Sequence, residues 1–306
     1  MQKKVVFVVG PTAVGKTAVA FALAQKVGGE IVSCDAMQVY REVPIATSHP
    51  SSEMMAQIPH HLVGIVSVQE RFDVAAYNRL ATAAIADIVG RGKTPVVVGG
   101  SGLYVQVLLD GLFAGAARDE GLRQQWELRC DQEGMAALYQ ELIRRDPDAA
   151  AKIHPHDKKR LIRALEVCAL TGECFSTKKK ERTGIWGKYD IVLYALTRPR
   201  GELYKRINSR VEEMFVQGLV EEIRKVLAGG LSPTGKQVIA VPEVAGYLSG
   251  DYDLARAQYL LQLHTRHYAK RQLTWFRKEK RLAWLSISAE DTVEVLAEKI
   301  RRDADL

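Results

Sequence analysis

Residues 10–17 read Gly10-Pro11-Thr12-Ala13-Val14-Gly15-Lys16-Thr17, between an apolar run at 5–9 and a helix-forming stretch at 18–26. This is G-x-x-x-x-G-K-[ST] in the setting that gives it physical meaning, with a strand before the turn and a helix start after it. Such a turn aims successive backbone N–H groups into one concavity, where the helix dipole adds positive potential. The expected phosphate-binding residues are therefore Gly10, Pro11, Thr12, Ala13, Val14, Gly15, Lys16 and Thr17. Lys16 would set its ammonium against phosphate oxygens, and the Thr17 hydroxyl is the expected metal contact, for Mg²⁺. A strand-to-helix loop with spare glycines would leave the Lys-Thr pair unexplained.

Three further clusters carry chemistry. Asp35 opens Asp35-Ala36-Met37-Gln38-Val39-Tyr40-Arg41 directly after the second apolar run. There it could act as a general base, touch Mg²⁺, or simply cap a helical turn. The fourth run ends in Gly99-Gly100-Ser101-Gly102-Leu103-Tyr104, where an NTP hydrolase would place a metal-holding aspartate. Small residues and a hydroxyl polarise water poorly, which argues against an ATPase or GTPase motor; Ser101 can instead donate to a leaving oxygen. Arg206 and Arg210, spaced i, i+4, could clamp a developing diphosphate charge or merely sit exposed on a helix. Finally, residues 264–278 interleave Arg266, Lys270, Arg271, Arg277 and Lys278 with Tyr268, Trp275 and Phe276. Cations for phosphates with aromatics for unpaired bases make a nucleic-acid composition, although aromatics at helical spacing also serve a core.

The elements that must position these clusters alternate strand and helix in the first third. β-rich runs fall at 5–9, 30–34, 62–66 and 95–98, with a helix at 73–90 that Asp73 would cap. Near-continuous Val/Ile runs predict a parallel sheet covered on both faces, whose ligands gather at the strand carboxyl ends. From about 118 to 180 charged helices take over, at 120–133, 135–145, 146–152 and 157–170, followed by a Lys178-Lys179-Lys180 run. This reads either as a helical insertion or as an ordinary helical subdomain with a solvated face. A strand at 191–196, a helix at 202–227, a long helix at about 251–278, a strand at 282–286 and a last helix at 292–301 complete the pattern. The fold class is α/β: a parallel-sheet core at 1–117 and 186–306, and a helical insertion at 118–185.

The bulk properties permit this. The 306 residues carry 43 Lys and Arg against 36 Asp and Glu, for a net charge of +7 that favours an anionic partner. Cys34, Cys130, Cys168 and Cys174 show neither C-x-x-C pairing nor metal-ligand spacing and read as thiols in a reducing compartment. The N-terminus leaves no room for a signal peptide and no apolar run approaches a membrane span, so a cytoplasmic protein without a membrane partner is expected. A monomer is expected as well.

Taken together, the clusters resemble the tRNA isopentenyltransferase family, the tRNA dimethylallyltransferases. The matching stretches are 10–17, 35–41, Pro59-His60-His61-Leu62, 99–104, His154-Pro155-His156-Asp157 with 160–166, 206–214 with Gly218-Leu219, and 268–277. They run in order over nearly the whole chain. The resemblance implies a P-loop NTPase-like core that performs prenyl transfer rather than phosphoryl transfer. The donor would be dimethylallyl diphosphate, its diphosphate held by residues 10–17 with Mg²⁺, and the acceptor the exocyclic amine of the tRNA adenosine just 3′ of the anticodon, extruded from its loop. Asp35 would take the amine proton, while Ser101 and Arg210 stabilise the departing diphosphate. Contacts to tRNA would come from Asp35, Ala36, Met37 and Gln38, from Lys159, Arg160, Leu161, Ile162 and Arg163, and from Lys270, Arg271, Gln272, Trp275, Arg277 and Lys278. The insertion would close over the anticodon stem-loop.

Some positions depart from the family pattern. Ala36 stands for a usual serine and Ser101 for a threonine, while Ala46-Thr47-Ser48-His49-Pro50 replaces Gly-Thr-Ala-Lys-Pro. At Ala240-Val241-Pro242-Glu243 the family reads Gly-Tyr-Lys-Glu; Pro242 is expected to break the local helix and weaken the RNA grip there. Three other readings remain. A P-loop small-metabolite kinase needs neither the basic insertion nor residues 268–277, and a non-catalytic RNA binder would not need Lys16, Thr17 and Asp35. Adenylate isopentenylation on free nucleotides would make the insertion superfluous.

Overall fold

In the computed structural model, which describes residues 3–112, 118–178, 180, 182–288 and 290–306, the chain divides into two units. One comprises Met1–Leu109 and Ile185–Leu306, the other Asp110–Gly184. The boundary expected at residue 117 and the Lys179 of the triple-lysine run lie outside the described residues.

The first unit opens with β1 (Lys4–Val9), α1 (Lys16–Val27), β2 (Glu30–Ser33), α2 (Ser52–Gln57), β3 (His60–His61), α3 (Val74–Gly90), β4 (Pro95–Gly99) and α4 (Gly102–Asp110). The helical unit holds α5 (Glu120–Glu133), α6 (Met135–Arg145), α7 (Pro147–Ala150), α8 (Lys158–Thr171) and α9 (Phe175–Lys178). The chain then returns through β5 (Asp190–Thr197), α10 (Arg200–Val216), α11 (Leu219–Gly229), α12 (Val241–Leu248), α13 (Leu254–Phe276), β6 (Ala283–Ser286) and α14 (Val293–Asp303). The described strands form one parallel sheet in the order β3-β2-β4-β1-β5-β6.

The continuous valine run of β1 follows from burial on both sides. Val5, Phe7 and Val9 enter one apolar cluster, and Val6 and Val8 enter another across the sheet. Alternation along a strand sends neighbours to opposite faces, so a strand at the centre of such a sheet needs apolar residues at every position. The helical unit has its own core, with Trp126, Leu138, Leu142, Leu161 and Leu165 packed together.

Three expectations are corrected. The strand expected at 62–66 is instead His60–His61, because Leu62 (φ 65°) and Gly64 (φ 61°) take left-handed backbone that ends an extended run. The helix expected at 202–227 is two helices, interrupted where Gly218 adopts φ 100°. Pro242 does not break a helix. It lies at the start of α12, where a proline sacrifices no intrahelical hydrogen bond.

Candidate active site

The phosphate loop links β1 to α1 and is held mainly through its carbonyls. Lys16 Nζ donates to Pro11 O at 2.7 Å, Arg206 Nε to Ala13 O at 2.9 Å, and Arg198 Nε to Val14 O at 3.0 Å. Gln272 Oε1 accepts the Thr12 N–H at 2.8 Å. The start of α1 has no side-chain cap from Gly15 and no acid in its first turn. Its N–H groups therefore remain available to an anion, as a helix N-terminus requires. Arg206 is thus committed to propping the loop, whereas Arg210, one turn on, lines the neighbouring cavity.

That cavity has a volume of 310 Å³, and Thr12, Lys16, Thr17, Asp35, Arg210 and Tyr268 are among the residues lining it. Burial pulls the Lys16 ammonium down to about 8, with the Asp35 charge opposing that shift and Arg210 adding to it. The three groups are therefore within electrostatic reach of one another. Burial, and then the neighbouring Arg206, likewise lowers the Arg210 guanidinium, so both cations are primed to gain from an incoming anion. Met37, Val211, Met214 and Leu261 add apolar surface to the same wall.

Asp35 sits on the turn that leaves β2, and its Oδ1 accepts the Met37 N–H at 2.9 Å. Ser101 braces this turn by accepting the Ala36 N–H at 2.9 Å, while its own N–H donates to Cys34 O at 3.2 Å. Accepting that bond uses a lone pair of the Ser101 oxygen and not its O–H, so Ser101 braces the turn and still has a proton to donate, as the leaving-group role expected of it requires. Gln38 is likewise engaged: its amide donates to Thr47 O and Ser48 O, and its oxygen accepts from Ser33 Oγ. His61 pairs with the buried Glu30 at 2.9 Å, and His60 reaches the cavity wall.

The glycines ending β4 have a steric purpose. A Cβ on Gly100 would come within 2.1 Å of Gln272 Nε2, and one on Gly102 within 2.1 Å of the Trp275 ring. Their absence of side chains lets α13 lie against the β4 end. Gln272, expected to touch RNA, is buried there, donating to Gly100 O at 3.0 Å as well as bracing Thr12. Lys270, Arg271, Arg277 and Lys278 are exposed, and His267, Lys270, Arg271, Thr274, Trp275 and Lys278 form an open cleft. These exposed basic residues and Trp275 thus share one cleft along the end of α13 and just beyond it.

In α8, Lys159 and Arg160 are exposed, but Leu161 and Ile162 are buried in the core of the helical unit. Helical periodicity turns those two side chains into that core. Arg163 is tied to the buried Glu166 at 2.7 Å. Arg198 and Met214 were not singled out for the site, and Tyr268 only as a ring of the basic, aromatic stretch. Only Met214, one helical turn beyond Arg210, carried a spacing signal.

A metal ion fits sparingly. Thr17 and Asp35 both present oxygens to the cavity, and no group of three or more His, Cys, Asp or Glu among the described residues could hold one alone. Mg²⁺ suits such a site, because it keeps waters and takes most ligands from a bound diphosphate.

Comparisons with known proteins agree with this geometry. The chain is 47% identical over 287 residues to the tRNA dimethylallyltransferase of Heliobacterium modesticaldum, covering 93% of this chain and 90% of that one. It is 43% identical over 299 residues to the tRNA dimethylallyltransferase of Geobacter sulfurreducens, covering 97% and 96%. Among solved structures, the tRNA isopentenylpyrophosphate transferase of Bacillus halodurans superposes with a TM-score of 0.72 at 38% identity, covering 99% and 97%. A eukaryotic dimethylallyltransferase acting on tRNA superposes with a TM-score of 0.83 at 29% identity, covering 99% of this chain and 79% of that one. The core accordingly has the P-loop NTPase-like fold, and nothing in these likenesses favours a metabolite kinase. The model of the IPP transferase family matches residues 38–279, and the chain belongs to that family.

Proposed function

We propose that the protein transfers a dimethylallyl group from dimethylallyl diphosphate to the exocyclic amine of the adenosine 3′-adjacent to the anticodon in tRNA, releasing diphosphate. The observation that carries this reading is one cavity holding Lys16, Thr17 and Arg210 beside Asp35 and an apolar wall. The first three suit a leaving diphosphate, the carboxylate suits an amine proton, and the apolar wall suits a short allylic tail.

In the reaction the allylic carbon–oxygen bond breaks and its electron pair leaves with the diphosphate. Lys16, Arg210 and the N–H groups at the start of α1 meet that growing charge with preorganised donors. The amine nitrogen forms the new bond to carbon, and Asp35 accepts the proton that the nitrogen sheds. Thr17 would hold Mg²⁺, which when bound shares the negative charge of the diphosphate. The adenosine reaches the cavity by leaving its loop stack. Exposed Lys159 and Arg160 on the helical unit, Lys270 and Arg271 on α13, and Lys278 just beyond it supply phosphate contacts; Trp275 offers a ring to a base. The protein works as a monomer in this reading, which sedimentation with and without RNA checks.

The test supplies labelled dimethylallyl diphosphate with an anticodon stem-loop or with AMP. Label should enter the stem-loop alone, at the target adenosine. Unlabelled RNA, or preferential labelling of AMP, would refute the assignment.

A further inference from the structure

We propose that Glu222 is a positioning residue: it fixes the cavity wall at residues 45–48 and, through Gln38, the turn that carries Asp35. Glu222 lies in the first turn of α11, far along the chain from that wall. Its Oε2 accepts the Ile45 N–H at 2.9 Å and its Oε1 accepts the Ala46 N–H at 2.8 Å.

Residues 43–49 form a short helix-like turn. Thr47 N–H donates to Val43 O at 3.1 Å, and His49 N–H to Pro44 O at 2.9 Å. Such a turn leaves N–H groups open at its start and carbonyls open at its end. Glu222 fills the first vacancy with an anion, which suits the positive end of the turn. Gln38 fills the second, its Nε2 donating to Thr47 O at 3.3 Å and to Ser48 O at 3.0 Å. The turn is thus capped at both ends by side chains from elsewhere, one of which belongs to the segment bearing Asp35.

The chemistry of Glu222 supports a dedicated role. It is half-buried, and no Lys, Arg or His among the described residues pairs with it. Burial pushes its carboxyl upward, and the two backbone N–H groups pull it partway back. Desolvating a carboxylate without a cation is costly, so those two bonds are what holds it in place. Ala46, Thr47 and Ser48 line the cavity together with Gln38 and Asp35. The phosphate loop is held separately, by Arg198, Arg206 and Gln272. A disturbance at Glu222 should therefore reach the acceptor end and spare the diphosphate end.

The inference rests on the prenyl-transfer reading for its kinetic arm only. The experiment compares Glu222→Gln, which keeps the shape but opposes one N–H with an amide, with the exposed control Glu221→Ala. In Glu222→Gln, kcat for stem-loop prenylation should fall about tenfold, as small misplacements of a reacting group do. KM for dimethylallyl diphosphate should stay within about twofold under the same separation of ends. Amide hydrogen exchange should quicken at residues 35–38 and 45–48 and stay unchanged at 10–17, with the control matching wild type throughout. Unchanged exchange at 35–38 would overturn the proposal, as would a raised diphosphate KM with kcat intact. If wild-type protein transferred no label to RNA, the prenyl-transfer reading would fall, and the exchange data would still decide the role of Glu222.

Discussion

The two ends of the cavity are built on different plans. At the proposed diphosphate end, four loop residues are secured by side chains from α10, α13 and the β5–α10 connection or by Lys16 itself, and the groups that could meet charge are several. At the proposed acceptor end a single carboxylate, Asp35, stands on a turn secured by Ser101 and its own Asx bond. Stabilising a departing diphosphate can be shared, because each donor adds to one electrostatic field. Removing a proton cannot, because one base must stand at one place. The difference teaches that loss of one group should be buffered at the first end and severe at the second.

The sharpest way to break this contrast is Asp35→Ala. It should lower kcat by about a thousandfold or more while RNA affinity stays near wild type, since its proposed work is confined to the transition state. Equal loss in binding and turnover, read by pre-steady-state kinetics and filter binding, would return Asp35 to a binding role. Lys16→Ala should be somewhat milder, costing roughly 3–4 kcal/mol of transition-state stabilisation because Arg210 and the α1 N–H groups remain. Lys16 also supplies a pH test. Its ammonium titrates near 8 in the free protein, so below that pH it is already charged and above it diphosphate binding must recruit a proton. Diphosphate affinity should therefore fall as pH rises past about 8, by up to about tenfold per unit, and Lys16→Ala should flatten that slope.

Outside both ends, Lys270→Ala with Lys278→Ala should weaken stem-loop binding about tenfold and reduce its salt slope by about 2, leaving diphosphate affinity unaltered. An unchanged slope would remove the outer face of α13 from the RNA surface. The smallest effect concerns the segment beside the apolar wall. Ala240 is buried at φ 104°, a backbone conformation that costs an alanine strain, and is held there by Glu243 accepting its N–H at 2.9 Å. Ala240→Gly should stabilise the fold by about 1 kcal/mol, strain relief being partly offset by the looser unfolded chain. Calorimetry would show a rise of roughly 2 °C. A lower melting temperature would mean that the alanine methyl contributes more to packing than the backbone strain costs.

Legibility followed the range of the interactions. The loop at 10–17, Asp35 after β2 and the helices capped by Asp73, Asp119 and Asp157 rest on neighbours in the chain, and they stand where the pattern put them. Gln272 shows the opposite case. It belongs to a basic, aromatic stretch, yet its partners Thr12 and Gly100 lie far away in sequence. The same holds for Leu161 and Ile162, where a run of five residues was taken as one surface although a helix sends its side chains to several faces. Gly218 did carry a local signal, a glycine suited to left-handed backbone, that splits α10 from α11.

By itself the order of residues determined the strand–turn–helix of the phosphate-loop pattern, the apolar strands that must lie in a covered sheet, and the family to which the chain is similar. These depend on spacing, backbone sterics and burial, all of which act over a few residues. Only the tertiary structure decided which cation faces the cavity and which braces the loop, and which face of α13 meets Gly100 and which meets solvent. Those outcomes depend on hydrogen bonds between residues far apart in the chain, and such partners come together only when the sheet and its helices have packed.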